Sequence, residues 1–107
     1  MGVKQYQIVL VNLGFTQGSE IRKIRPCAIL SPDEMNEHLN TVVIAPLTTS
    51  GKHYPSRIKV RLDDKRGLMA LDQIRAIDKG RIIKELGHLS DKEIGACKRL
   101  LREIFVE

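Results

Sequence analysis

A chain of 107 residues has room for one domain, taken as residues 1–107, and 42% apolar against 29% charged residues excludes a disordered polymer. Eighteen Lys and Arg against thirteen Asp and Glu give a net charge of +5, which favours an anionic partner, either nucleic acid or an acidic protein. No apolar run approaches the roughly 20 residues of a membrane helix, and Ile8 to Leu13, which contains Asn12, is too short for a signal sequence. A cytoplasmic protein without a membrane partner is therefore expected.

Trp is absent and there are only two Tyr and two Phe, so the core has to be built from Ile, Leu and Val. Gln7 to Leu13 (QIVLVNL) is rich in β-branched residues and predicts a strand. Gly14, Gly18 and Ser19 mark a loop from Gly14 to Arg25, ending in the basic cluster Arg22, Lys23 and Arg25. Pro26 to Leu30 predicts a second strand opened by proline, a placement that a strand's first residue or an edge tolerates. The polar Ser31 to Asn40 reads as a turn or a short helical excursion. Thr41 to Leu47 (TVVIAPL), the most apolar stretch, predicts a central strand running into an irregularity at Pro46.

A loop from Thr48 to Ser56 follows. Arg57 to Leu62 then alternates, with Ile58, Val60 and Leu62 facing one side and Arg57, Lys59 and Arg61 the other, so one face is buried and one is wet and basic. A turn over Asp63 to Gly67 leads to Leu68–Asp72 and to a further strand, Gln73 to Ile77. Arg81 to Leu86 reads as a shorter helix or strand. Ser90 with Glu93 is a capping-box signature introducing a helix with Ile94, Cys97, Leu101 and Phe105 on one face. Lys92, Lys98, Arg99 and Arg102 occupy much of its remaining surface. The sum is an α+β protein, mainly β: a small barrel of about five to seven short strands with a C-terminal α-helix. Cys27 and Cys97 lack C-x-x-C spacing and read as buried free thiols. His38, His53 and His88 are far apart without Cys partners, so neither a metal nor another cofactor is expected.

Several short motifs occur in order. They are Gly18-Ser19-Glu20, then Arg25-Pro26 before an apolar strand, then Pro46-Leu47-Thr48-Thr49 and Lys52-His53-Tyr54-Pro55. The segment Gly67 to Arg75 (GLMALDQIR) and a G-x-L-S box from Gly87 to Ser90 complete the set. In this order the set resembles the MazF/PemK toxin family, and the resemblance runs from about Ile8 to Phe105. Two places depart from the pattern. Tyr6-Gln7 stands where the family often has Gly-Asp, and Ala70 stands where the Kid/PemK branch has an arginine, so the MazF-type pair of Arg and Thr is the better match.

The resemblance implies an SH3-like barrel that dimerises and binds single-stranded RNA in a groove at the dimer interface. It also implies sequence-specific cleavage to 2′,3′-cyclic phosphate and 5′-hydroxyl ends, and inhibition by a cognate antitoxin with a flexible acidic segment. The two catalytic residues fall on Arg25 and Thr48, with Glu20, Asp72 and His53 as possible support. Side chains placed to contact RNA are Arg22, Lys23, Lys52, Arg57, Lys59, Arg61 and Arg75, joined by Gln73. Phe15 and Tyr54 are the candidates for base stacking, and Tyr54 reads equally well as half-buried packing.

Arginine stays charged at any ordinary pH, so Arg25 suits stabilisation of a phosphorane better than proton abstraction. Asp72 has a plainer reading as a surface ion pair with Arg75 or Arg81. Two further readings of the whole chain are a catalytically silent RNA- or partner-binding barrel and a CcdB-like gyrase inhibitor. The latter resemblance implies a C-terminal Trp-Gly-Ile end, where this sequence has Ile104-Phe105-Val106-Glu107.

Overall fold

The computed structural model describes residues 2–15, 22–49 and 54–106. In chain order the elements are β1 (Gln7–Phe15), β2 (Arg22–Ile29), α1 (Asp33–His38), β3 (Thr41–Thr48), β4 (Arg57–Leu62), β5 (Lys65–Ala70), β6 (Arg75–Asp78), β7 (Ile82–His88) and α2 (Asp91–Phe105). The strands form one seven-stranded antiparallel sheet in the order β4-β5-β3-β2-β1-β7, with β6 also paired to β3. The sheet is strongly curled. A β-carbon on Gly87 in β7 would lie 3.4 Å from Leu62 in β4, so the two edge strands come back towards each other.

The runs in β1, β2 and β3 are apolar without alternation because both faces of these strands are buried. On the inner face, Ile8, Ala28, Ala45 and Leu47 pack with Ile58, Val60 and Met69, and Cys97, Ile94, Leu100 and Leu101 of α2 close over them. On the outer face, Val9, Val11, Cys27, Ile29, Val42, Ile44 and Ile77 form a second cluster with Val3. Strand β4 lacks that second layer and alternates as its sequence predicts, with Ile58 and Val60 buried and Lys59 and Arg61 exposed.

Several boundaries differ from the sequence expectation, each for a local reason. The segment read as a loop from Gly14 to Arg25 is strand at both ends: Phe15 pairs with Arg22 and Val11 with Arg25. Gly14, with φ +83°, marks an irregularity between Asn12 and Gly14 where the register shifts, a bulge rather than a turn. Pro26 therefore sits within β2 rather than opening it. The pairing of β2 with β3 begins one residue later, at Cys27, so a residue without an amide donor is accommodated there.

The turn read over Asp63 to Gly67 contracts to Asp63-Asp64, because Leu62 already pairs with Lys65. Asp63 takes φ +54°, a conformation that Asp tolerates. Gln73 is not in a strand: Leu71–Gln73 forms a single 3-10 turn between β5 and β6. Both of these strands run antiparallel along the same flank of β3, so the turn is an insertion within one interrupted ladder.

Helix α2 begins as predicted. Ser90 Oγ accepts from the Glu93 amide at 3.2 Å, and Glu93 Oε1 accepts from the Ser90 amide at 2.8 Å. Glu93 Oε2 also accepts from the Arg61 amide at 2.8 Å, which ties the cap to edge strand β4. The apolar stripe packs at Ile94, Cys97 and Leu101, but Phe105 is 65% exposed because the last turn runs past the core. Both cysteines are free and buried. Burial pushes the Cys97 thiol up to about 11 and the Cys27 thiol up to about 12, the latter against the opposing influence of Arg25 and Arg75. No helix among the described residues is long and apolar enough to cross a membrane.

Candidate functional site

Register sets the two principal candidates at the same end of neighbouring strands. The pairs Ile29↔Ile44, Ala28↔Ala45 and Cys27↔Pro46 define the β2–β3 ladder. The last pair of that ladder is Cys27↔Pro46, and Arg25 and Thr48 lie two residues beyond it on β2 and β3. Directly opposed residues share a face. Cys27 and Ile44 belong to the outer cluster, so by strand alternation Arg25 and Thr48 fall on the outer face. Both are half-buried. Thr48 is the last residue of β3, where the strand leaves β2 and pairs with β5 through Thr48↔Leu68.

The same bookkeeping of faces places the other cations. Lys59 opposes Leu68, Arg57 opposes Ala70 and Arg61 opposes Arg66, all on the outer face beyond Thr48. Arg75 opposes Ile44 and joins that face from β6. Arg66 was missed in the sequence because it falls in a stretch read as a turn. Its position directly across from Arg61 sets two like charges facing each other, an arrangement unfavourable in itself. The outer face from β4 to β2 thus carries a run of basic residues, and Arg25 and Thr48 belong to the same face.

Asp72 is held elsewhere than its plainer reading suggests. It pairs with neither Arg75 nor Arg81: Arg57 Nε lies 3.3 Å from Asp72 Oδ1, and Arg57 Nη2 lies 3.4 Å from Oδ2. Ser56 Oγ donates to Asp72 Oδ1 at 3.0 Å. Arg81 donates instead to the Asn12 carbonyl at 3.3 Å. Partial burial alone would raise the Asp72 carboxyl, but the hydrogen bonds from Arg57 and Ser56 outweigh it and hold the group below its ordinary value. A carboxylate so held is a weak proton acceptor. Ser56 carried no sequence signal beyond its place at a strand start.

Tyr54 is exposed beside this cluster, with the Arg57 guanidinium carbon 5.1 Å from its ring centroid. Gln73 is exposed on the 3-10 turn next to Asp72. Arg22 and Lys23 extend β2 beyond Arg25, and their side chains, like that of Phe15, lie outside the described residues. Glu20, Lys52 and His53 lie outside them entirely. Among the described residues no three His, Cys, Asp or Glu side chains gather to hold a metal ion.

Gly67 is a further residue that the geometry singles out. A β-carbon there would stand 3.1 Å from the Thr48 carbonyl oxygen, so β5 reaches Thr48 this closely because the position lacks a side chain.

Residues 4–105 match the family model described as PemK-like, MazF-like toxin of type II toxin-antitoxin system. The chain is 32% identical over 98 residues to an endoribonuclease MazF of Staphylococcus saprophyticus, covering 86% of this chain and 82% of that protein. Its fold is similar to that of MazF in a MazE-MazF structure from Deinococcus radiodurans, with TM-score 0.85, 21% identity and coverage of 99% and 97% of the two chains. It is also similar to an endoribonuclease in complex with its cognate antitoxin from a mycobacterial species, with TM-score 0.80, 22% identity and coverage of 94% and 92%.

Proposed function

Because the chain belongs to the PemK-like, MazF-like toxin family of type II toxin–antitoxin systems, we propose that it is a sequence-specific endoribonuclease cleaving single-stranded mRNA without a metal. The products are a 2′,3′-cyclic phosphate and a 5′-hydroxyl. What supports the reading is that Arg25 and Thr48, at the same end of the neighbouring strands β2 and β3, fall on one face of the sheet together with Lys59, Arg61 and Arg75. A homodimer with RNA in a groove at its interface, a cognate antitoxin with an acidic flexible segment and a cytoplasmic setting belong to the same reading.

In this reaction the 2′-oxygen attacks the adjacent phosphorus while the bond from phosphorus to the 5′-oxygen breaks. The 2′-hydroxyl proton leaves to a base or to water, and the departing 5′-oxygen gains one. Negative charge accumulates on the two nonbridging oxygens between these events. The Arg25 guanidinium presents two parallel donors matched to those oxygens, and Pro26 biases its backbone towards an extended form. The Thr48 hydroxyl supplies a further donor. Preorganised donors of this kind lower a barrier by about 3–4 kcal/mol each.

With Asp72 engaged by Arg57, charge stabilisation by Arg25 and Thr48 supplies most of the rate, and Glu20 or His53 contributes less. Incubation of the purified protein with several unrelated long RNAs in EDTA tests the reading. Discrete cuts with cyclic phosphate ends are expected. Intact RNA throughout would overturn it in favour of a silent binding barrel.

Gly67→Ala offers a graded check on the geometry. The new methyl group has to displace the Thr48 carbonyl by a few tenths of an ångström, because backbone rather than a flexible side chain stands in its way. A fall in cleavage rate of roughly ten-fold is expected, since small misplacements of reacting groups cost this much or more. Folding stability should fall by only about 1 kcal/mol. Single-turnover rates with a urea melt of the same preparation separate the two effects.

A further inference from the structure

We propose that Tyr54 and Arg57 form a stacking subsite for one nucleobase of the bound RNA, with Asp72 as the positioning residue that holds Arg57 against the tyrosine ring. The inference rests on the endoribonuclease reading and specifies where one flanking base is received. Four observations carry it. Tyr54 is 49% exposed in a chain that has only four aromatic residues, so an open ring here is not a by-product of aromatic abundance. The Arg57 guanidinium lies over the ring at 5.1 Å from its centroid, within cation–π range. The Arg57 side chain is only 12% exposed, pinned by Asp72 at 3.3 Å, and Asp72 is itself fixed by Ser56 Oγ at 3.0 Å. Finally, the Leu71 amide donates to the Ser56 carbonyl at 3.1 Å, which ties the turn carrying Asp72 to the start of β4.

The ring is therefore backed by a fixed guanidinium, and about half of the residue is exposed. An aromatic platform of this kind takes up a base by stacking, whatever the base, and preorganisation spares it an ordering cost. The charge of Arg57 is matched by Asp72, so the subsite recognises a base rather than a phosphate. That separates it from Lys59, Arg61 and Arg66 on the same face, whose charges suit the backbone. On ideal sheet spacings Arg57 is two strands and two residues away from Thr48, roughly 12 Å, which places the received base beside the scissile phosphate rather than at it.

The test uses the purified full-length protein and an oligoribonucleotide whose cut has been mapped, with single abasic nucleotides introduced at successive positions. An otherwise identical RNA with a 2′-deoxy nucleotide at the cut, which lacks the nucleophile, serves for binding. For wild type, one abasic position near the cut should raise KM by about ten-fold or more with kcat little changed. Tyr54→Ala should lose the distinction at that position alone, and Tyr54→Trp should restore it.

Salt provides a readout that a merely structural role does not move. Tyr54→Ala should weaken binding without changing the slope of log affinity against log salt, whereas Lys59→Ala should reduce that slope by about 0.7. Asp72→Asn removes the carboxylate that holds Arg57 against the ring and should weaken the abasic distinction at that same position, with a smaller effect elsewhere. Equal responses of wild type and Tyr54→Ala to every abasic position would overturn the subsite. Uncut RNA that is still bound with the position-specific abasic pattern would remove the cleavage reading while leaving the subsite standing. RNA neither cut nor bound removes both.

Discussion

Arg25→Ala is expected to lower RNA cleavage by at least a hundred- to a thousand-fold while leaving the fold intact. The magnitude follows from losing a preorganised charged donor aimed at a charge that develops in the transition state. The intact fold follows from position: Arg25 is half-buried, and among the described residues no carboxylate forms an ion pair with it. Its backbone position opposite Val11 in the β1–β2 ladder is available to Ala as well. Single-turnover cleavage gives the rate, and a urea melt gives the stability, expected within about 1 kcal/mol of wild type. Arg25→Lys should recover only part of the rate, since an ammonium group cannot make two parallel bonds to phosphate oxygens. A rate for Arg25→Ala near that of wild type would remove Arg25 from the chemistry.

Ile44→Ala is expected to do the reverse. Ile44 is 0% exposed in the outer cluster and stands where β3 is paired on both flanks, with Ile29 of β2 and Arg75 of β6. Truncating such a side chain leaves a cavity that strands held on both sides cannot collapse to fill. The expected loss is about 2–5 kcal/mol, a large share of the roughly 5–15 kcal/mol by which small domains are stable. Cleavage per folded molecule should change little at low temperature, because the chemistry sits two rows along the sheet from this position. The urea midpoint checks the first part, and activity corrected for the folded fraction checks the second. Together the two variants separate a residue that acts on the substrate from one that holds the frame.

Much of the frame was legible from short-range pattern. The alternation of Arg57 to Leu62 records a strand wet on one side, and the uninterrupted apolar runs of β1 to β3 record burial on both. Ser90 and Glu93 announced the start of α2, since a capping box is satisfied within one turn. The misreadings share a cause. Gly14, Pro26 and Gly67 were taken as punctuation, yet Gly14 sits at a bulge, Pro26 lies just before a ladder begins, and Gly67 clears space for the Thr48 carbonyl. Each serves a neighbouring strand that the local sequence does not name.

The candidate site divides in the same way. Arg25 and Thr48 were legible as residues because the motifs around them are contiguous, each within a few positions. That they share a face, that Arg61 meets Arg66, and that Asp72 belongs to Arg57 rather than Arg75 or Arg81 depended on how distant strands align. Periodicity reports how a segment meets water, a property it carries on its own. Register between strands is chosen by the packing of the entire sheet, where a shift of one residue would turn every inner side chain outward, and no single segment holds that information.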